Sequence, residues 1–297
     1  PPIQKIFEIS ESELADLKLA YYSDYFSFVG EDDQGRVAFA IDNNRGRDGE
    51  TWQADHFVVM HDERRGWFSP KGNGLYPNPD AVLTGIPDSP YFSFKGAPRE
   101  GLEIRSAVND LVLKIEPIRE NLKREKGLSV FRLGSAAAVL FWEGREIKGR
   151  VIHEFLYLPA FNRLSRKYFG VFKDFHGVYA TVDGGDLYFH LQKNEVLGAL
   201  IGLKMGFAVI DGAVFELKDL NLNVKDRTFA RGFYRWPTGW EGRVRFQNAD
   251  HAISLDLQQQ NTIANWLIGG FAMGIVTGEI EIDGKKISVY GLGELIL

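Results

Sequence analysis

The sequence predicts an all-β protein of two tandem antiparallel β-barrels or sandwiches behind a short N-terminal helix. Three observations carry that expectation. Runs of aromatic and β-branched residues recur at short intervals between Gly and Asp turns along most of the chain. Gly144-Arg145-Glu146-Ile147 through Leu156 lies without gaps over Gly284-Lys285-Lys286-Ile287 through Ile296, with an apolar residue and an acid before each glycine (Trp142-Glu143, Ile282-Asp283). A repeat of that length implies two similar units ending in the same strand pair. Finally, a hairpin near residues 25–41 has a looser counterpart at 179–191.

Ser10-Glu11-Ser12-Glu13 has capping-box spacing and predicts a short helix through about Leu19. Tyr25–Val29 and Val37–Ile41 then form a hairpin about a turn at Glu31–Gly35. Further strands are expected at His56–Met60, Leu111–Ile115, Ala137–Phe141, Phe207–Ile210, Val244–Phe246 and Ile253–Leu257. Ser69–Pro90 holds five of the eleven prolines and reads as a long irregular loop able to cover a pocket mouth or to lie passively on the surface. Tyr179–Val182 and Leu187–Leu191 form the second hairpin about Asp183-Gly184-Gly185. In the last hairpin Asp283-Gly284 is a type I′ turn, pairing Ile282 with Lys285, Glu281 with Lys286 in a cross-strand ion pair, and Ile280 with Ile287. Alternation puts Glu294 on the polar side unless Gly291-Leu292-Gly293 bulges and turns it inward. The domain boundary falls in Ala160–Gly170, dividing the chain into 1–159 and 160–297.

At 297 residues, 44% hydrophobic and 13% aromatic, the chain can bury one large or two medium cores. A net charge of -5 with both signs interspersed points away from a nucleic-acid partner. No apolar run has the length of a transmembrane helix, so a soluble protein is expected. Zero cysteines rule out disulfides, thiolate metal sites and a Cys nucleophile, and suit either redox compartment. The first residue is Pro1 and not Met, which leaves a cytoplasmic protein and an exported one with its leader removed both open.

No Walker loop, G-x-S-x-G elbow, H-E-x-x-H or Rossmann glycine pattern occurs, so no cofactor and no metal is expected. His56 and His61 are an odd number apart and fall on opposite faces of a strand, which argues against a metal pair there. Glu154 alternates with Leu156 and Leu158, so an inward, buried carboxyl is expected, with desolvation raising its pKa. The competing reading, which the satisfaction of buried polar groups favours over catalysis, is a strand-end glutamate accepting backbone hydrogen bonds. His176, ahead of the second hairpin, and His190, on its return strand, could line a cavity or sit satisfied in a core. Trp142, Trp236, Trp240 and Trp266 could wall an apolar pocket or fill a barrel.

Asp24-Tyr25-Phe26-Ser27-Phe28, Trp142-Glu143-Gly144, Trp236-Pro237-Thr238-Gly239-Trp240 and Gly291-Leu292-Gly293-Glu294 resemble, in this order, blocks of the lipocalin-like superfamily that contains carotenoid 1,2-hydratases, AttH-like proteins and related cyclases. The resemblance implies two consecutive lipocalin-like barrels with a pocket for a bulky apolar molecule. His176-Gly177-Val178-Tyr179 is similar to the segment supplying pocket chemistry in hydratase members, without their tryptophan.

Three functions remain open at this point. The first is a cofactor-free hydratase or cyclase of an isoprenoid- or polyketide-like alkene, with Glu154 or His176 as proton donor and Trp142, Tyr179, His190, Trp236, Trp240 and Trp266 around the substrate. The second is a non-catalytic carrier or sensor of a lipid-like molecule. The third is a structural module whose barrels are filled by their own side chains. The expected partner of the first two is a hydrophobic small molecule; the sequence does not bear on oligomeric state.

Overall fold

In the computed structural model the described residues are 19–48, 51–72, 74–77, 86, 88–126, 129–158, 175–182, 185–191, 204–229, 235–247, 249–266 and 269–296. The chain separates into two compact units, Pro1–Phe169 and Gly170–Leu297. The expected helix at Ser10–Leu19 falls almost entirely outside the described residues, and Leu19 itself opens a strand.

Among the described residues, eleven strands build the first unit: β1 (Leu19–Asp32), β2 (Gly35–Asp48), β3 (Thr51–Asp62), β4 (Gly66–Phe68), β5 (Gly74–Pro77), β6 (Phe92–Ala97), β7 (Gly101–Ser106), β8 (Leu111–Ile115), β9 (Arg119–Lys126), β10 (Ser129–Trp142) and β11 (Arg145–Leu158). They form one antiparallel sheet in the order β4-β3-β2-β1-β11-β10-β8-β7-β6, with β5 paired to β3 and β9 to β10. The sheet curls until His56 on β3 touches Phe92 and Phe94 on β6, ring centroids 6.3 and 5.8 Å apart. Rings bridge that seam. The concave face packs Phe26, Phe28, Phe39, Ile41, Val58, Met60, Leu113, Leu140, Ile147 and Val151 into one apolar cluster. Burying a side chain of that size contributes about 1.5–3 kcal/mol.

The second unit is a closed barrel of eight strands in sequence order: β12 (Phe175–Val182), β13 (Gly185–Leu191), β14 (Met205–Ile210), β15 (Ala213–Phe229), β16 (Arg235–Phe246), β17 (Ala249–Trp266), β18 (Gly269–Ile282) and β19 (Lys285–Ile296). Its interior is filled along the described strands by a continuous apolar cluster that includes Val178, Leu187, Phe189, Leu220, Trp240, Leu255, Val276 and Val289. Pro237 lies inside β16, beside irregularities in the β15–β16 register, where a residue without an N–H disturbs the ladder least. All regular structure among the described residues is strand, and none of them forms a helix able to cross a membrane.

The two matching segments are the closing strands of their units. β11 and β19 each follow a tight turn, Glu143-Gly144 with φ of 48° and 78° and Asp283-Gly284 with 50° and 78°, and each pairs back onto the first strand of its unit. These are type I′ turns, so the hairpin expectation holds at Asp283-Gly284. The register also holds, Ile282 with Lys285 and Ile280 with Ile287. Two details differ. Lys286 bonds Glu279 on the diagonal, Nζ to Oε2 at 2.8 Å, in place of Glu281 directly opposite. No bulge forms at Gly291–Gly293, because the ladders on both sides of β19 run unbroken. The glycine serves close approach instead: a Cβ on Gly291 would stand 2.2 Å from the Tyr179 carbonyl oxygen. Within Ser69–Pro90, read above as loop, Gly74–Pro77 pairs with β3 as a short strand.

Candidate functional site

Alternation along four neighbouring strands builds a polar belt on the concave face of the first unit. β1 turns Tyr22, Asp24, Phe26 and Phe28 to that face, and β2 turns Val37, Phe39, Ile41, Asn43 and Arg45. β3 contributes His56, Val58 and Met60, while β11 contributes Val151, His153, Phe155 and Tyr157. On β1, β2 and β3 the apolar positions lie toward the hairpin turn joining β10 to β11 and the polar ones toward the other end, while on β11 Phe155 and Tyr157 follow His153. The result is a row running Phe155, Asp24, Asn43, His56 across β11, β1, β2 and β3, with His153 one row below and Arg45 one row above.

Asp24 is the hub. Its Oδ1 lies 2.7 Å from His153 Nε2, and its Oδ2 accepts from Arg45, whose side chain is fully buried. Burial alone would raise the Asp24 carboxyl; Arg45 and then His153 outweigh it and hold the group below the ordinary carboxylate value. An ionised carboxylate only accepts, so His153 donates from Nε2 and its other nitrogen, Nδ1, is the one that does not face Asp24. The ring stacks on Phe26 at 4.5 Å. Arg45 also lies 5.5 Å over the Tyr22 ring, which packs against Tyr157 at 4.8 Å. Burial, with Tyr157 beside it, pushes the Tyr22 hydroxyl far above its ordinary value, so it stays protonated. Farther along the row, Asn43 Nδ2 and His56 Nε2 are 2.9 Å apart.

His153 opens onto a small pocket of about 30 Å³, lined also by Phe155, Arg132, Leu133, Gly134, Ile118, Glu120, Pro98 and Arg99. Gly134 pairs directly with His153 across the β10–β11 ladder. A Cβ there would lie 2.6 Å from the Arg119 carbonyl oxygen and from Ile118 Cγ2, where β9 crosses with a register shift. The missing side chain lets β9 pack directly against β10 beside His153.

No protein-family model matches this sequence, and no curated protein matches it. Solved structures do. Kievitone hydratase from Nectria haematococca superposes with a TM-score of 0.59 at 9% identity, covering 92% of this chain and 88% of that one. A putative AttH from Nitrosomonas europaea gives 0.62 at 13% identity over 95% and 93%. CghA, solved with Sch210972, gives 0.55 at 13% over 94% and 88%. The chain has the lipocalin-like fold of these proteins.

Within that lipocalin-like fold the residues singled out from sequence scatter. Glu154 does not turn inward: it is half-buried on the face of β11 opposite His153, alongside Ile152 and Leu156. Both faces of β11 are apolar, so periodicity alone could not choose between them. Trp142 is buried at the far end of β10, between Phe68 at 5.3 Å and the guanidiniums of Arg65 and Arg145 at 4.9 and 5.5 Å. It stands roughly 26 Å along the strand from Gly134 at about 3.3 Å per residue. Trp240 belongs to the interior of the barrel, whereas Tyr179 faces the other side of its wall in a ladder with Tyr188 and Phe207. The side chains of His176, His190, Trp236 and Trp266 are outside the described set. Their backbones lie on β12, β13, β16 and β17, all at the barrel end away from the Asp283-Gly284 turn. His56 and His61 fall on opposite faces, as their odd spacing requires; His61 packs on Trp67 instead.

Asp24, Arg45 and His153 escaped the sequence reading as site residues, yet a signal existed. Tyr22, Asp24, Phe26, Phe28 on β1 and Phe39, Ile41, Asn43, Arg45 on β2 are apolar alternations broken by polar residues at paired positions. Polar groups within such alternation either satisfy one another or do chemistry.

Proposed function

We propose that this chain is a cofactor-independent hydratase or cyclase of a bulky apolar, isoprenoid- or polyketide-like alkene, with His153 as the proton-transfer group and Asp24 as the residue that orients it. The observation that carries this reading is the 2.7 Å Asp24–His153 contact above an aromatic floor, at the wall of a pocket. The likeness of fold to a protein named as a hydratase supports it.

The chemistry is simple to balance. The imidazolium gives its proton to one alkene carbon, and the ring of Phe155 in the pocket wall stabilises the cation that develops on the other. In hydration a water oxygen bonds to that carbon and loses one proton back to the imidazole, so the net change is the addition of water. In cyclisation an internal nucleophile takes the place of water, and the product is an isomer. Asp24, held ionised by Arg45, keeps Nε2–H pointed at itself so that Nδ1 is the atom exchanging protons.

Glu154 and His176, the donors named from sequence, are the competing proposals, and parallel substitution separates them. We expect incubation with a panel of terpenoid and polyketide-like alkenes to yield a product heavier by one water or an isomer. His153→Gln should lower the rate at least a hundredfold, with Glu154→Gln within a few-fold of wild type. Undiminished conversion by His153→Gln removes it from the mechanism. Binding of panel members with no product leaves a carrier.

A further inference from the structure

The pocket in front of His153 is charged in a way that the proposed proton transfer does not use. Its lining holds two guanidiniums and one carboxylate: Glu120 Oε2 lies 3.0 Å from Arg99 Nη2 and 3.2 Å from Arg132 Nη1. A single carboxylate oxygen is thus shared between two cations. Arg99 is half exposed and solvated, but the Arg132 side chain is only 6% exposed. Arg132 pairs with Phe155 across the β10–β11 ladder and Gly134 pairs with His153, so Arg132 and His153 are diagonal neighbours on one face. Such neighbours stand about 7–8 Å apart at the backbone, within reach of a common ligand for a long side chain.

Resting on the reading of this pocket as the substrate site, we infer that it takes the oxyanion head of its substrate, a carboxylate, phenolate or enolate oxygen on an otherwise apolar molecule, and that Arg132 is the residue selecting it. Three facts converge. Apart from His153, the described lining carries two arginines against one glutamate, and its buried cation has the planar fork that matches an oxyanion. The volume, about 30 Å³, suits a head group of a few atoms and not a hydrophobic body. Arg132 and His153 line the same pocket as diagonal neighbours, so a head seated at Arg132 brings the carbons next to it in front of His153.

The test compares 2-naphthoate with 2-naphthalenemethanol, which share a body and differ in head charge, by fluorescence titration of the full chain at low and moderate salt. We expect the carboxylate to bind at least tenfold more tightly than the alcohol, with the margin narrowing as salt rises. Arg132→Met should bring the two within twofold through weaker carboxylate binding, and Arg132→Lys should keep part of the preference. Glu120→Gln, which retains every arginine, should widen it, and that readout stands even if Arg132→Met does not fold. Equal binding of the two probes by wild type, a preference that survives Arg132→Met, or one that Glu120→Gln leaves unchanged or reduces overturns the head-group assignment while leaving the apolar site in place. Failure of both probes to bind overturns the site itself.

Discussion

A carboxylate sandwiched between a buried guanidinium and an imidazole sets the energetics of the first unit. Removing one partner of such an arrangement leaves the other charge buried and uncompensated, so Asp24→Asn should destabilise the protein by about 3–5 kcal/mol at neutral pH. The sign of its pH dependence follows from the depressed carboxyl. Stability from Asp24 is fully present above the ordinary carboxylate value of 3.8 and is lost as pH falls through the lower folded value. Denaturant melts between neutral and acid pH should therefore converge for wild type and Asp24→Asn as acidity increases; a constant gap would show that Asp24 is not the titrating group. The residue scale is also where sequence reasoning fell short. Choosing between His153 and Glu154 meant choosing between two apolar faces of one strand, Val151-Phe155-Tyr157 and Ile152-Leu156, and hydrophobicity cannot rank two faces that are both buried.

At the scale of elements, the turn glycines give the cleanest comparison. Gly144 and Gly284 share φ of 78°, and a Cβ at either would meet nothing within 4 Å. Substitution by Ala at these two sites therefore exposes the backbone cost alone, about 1–2 kcal/mol each and alike for the two. Thermal melts of Gly144→Ala and Gly284→Ala check this, and a markedly unequal loss would mean that one turn is supported by more than its backbone conformation. These hairpins were legible because the Asp-Gly and Glu-Gly pairs and the flanking alternation act over a few residues. Strands β6 and β9 were not, since Lys95 and Gly96 cut short the alternation of Phe92–Ala97 and Arg119–Lys126 is mostly charged. Their place comes from pairing with β7 and β10, a long-range interaction.

For the whole molecule, the acid-sensitive groups are unevenly shared. In the first unit Asp24, Asp32 and Asp62 all have lowered carboxyls; the latter two are bound to Arg145 at 2.8 and 2.5 Å, with side chains no more than 10% exposed. Asp219 and Asp250, the carboxyls lowered among the described residues of the second, lie on exposed side chains. Acid should thus loosen β1, β2 and β11 before the closed barrel, and hydrogen exchange followed by mass spectrometry at falling pH reads this directly. Simultaneous loss of protection in both units would refute it. What local chemistry determined was the class of structure: strands, tight turns, register at the final hairpin and the likeness of the two closing segments, because these depend on neighbours along the chain. Tertiary structure alone decided which strand face became concave, that one sheet curled while the other closed, and that Asp24, Arg45 and His153 met. Those outcomes depend on pairings between residues as far apart as Asp24 and Phe155, and a period of two, repeated on every strand, does not encode which strands become neighbours.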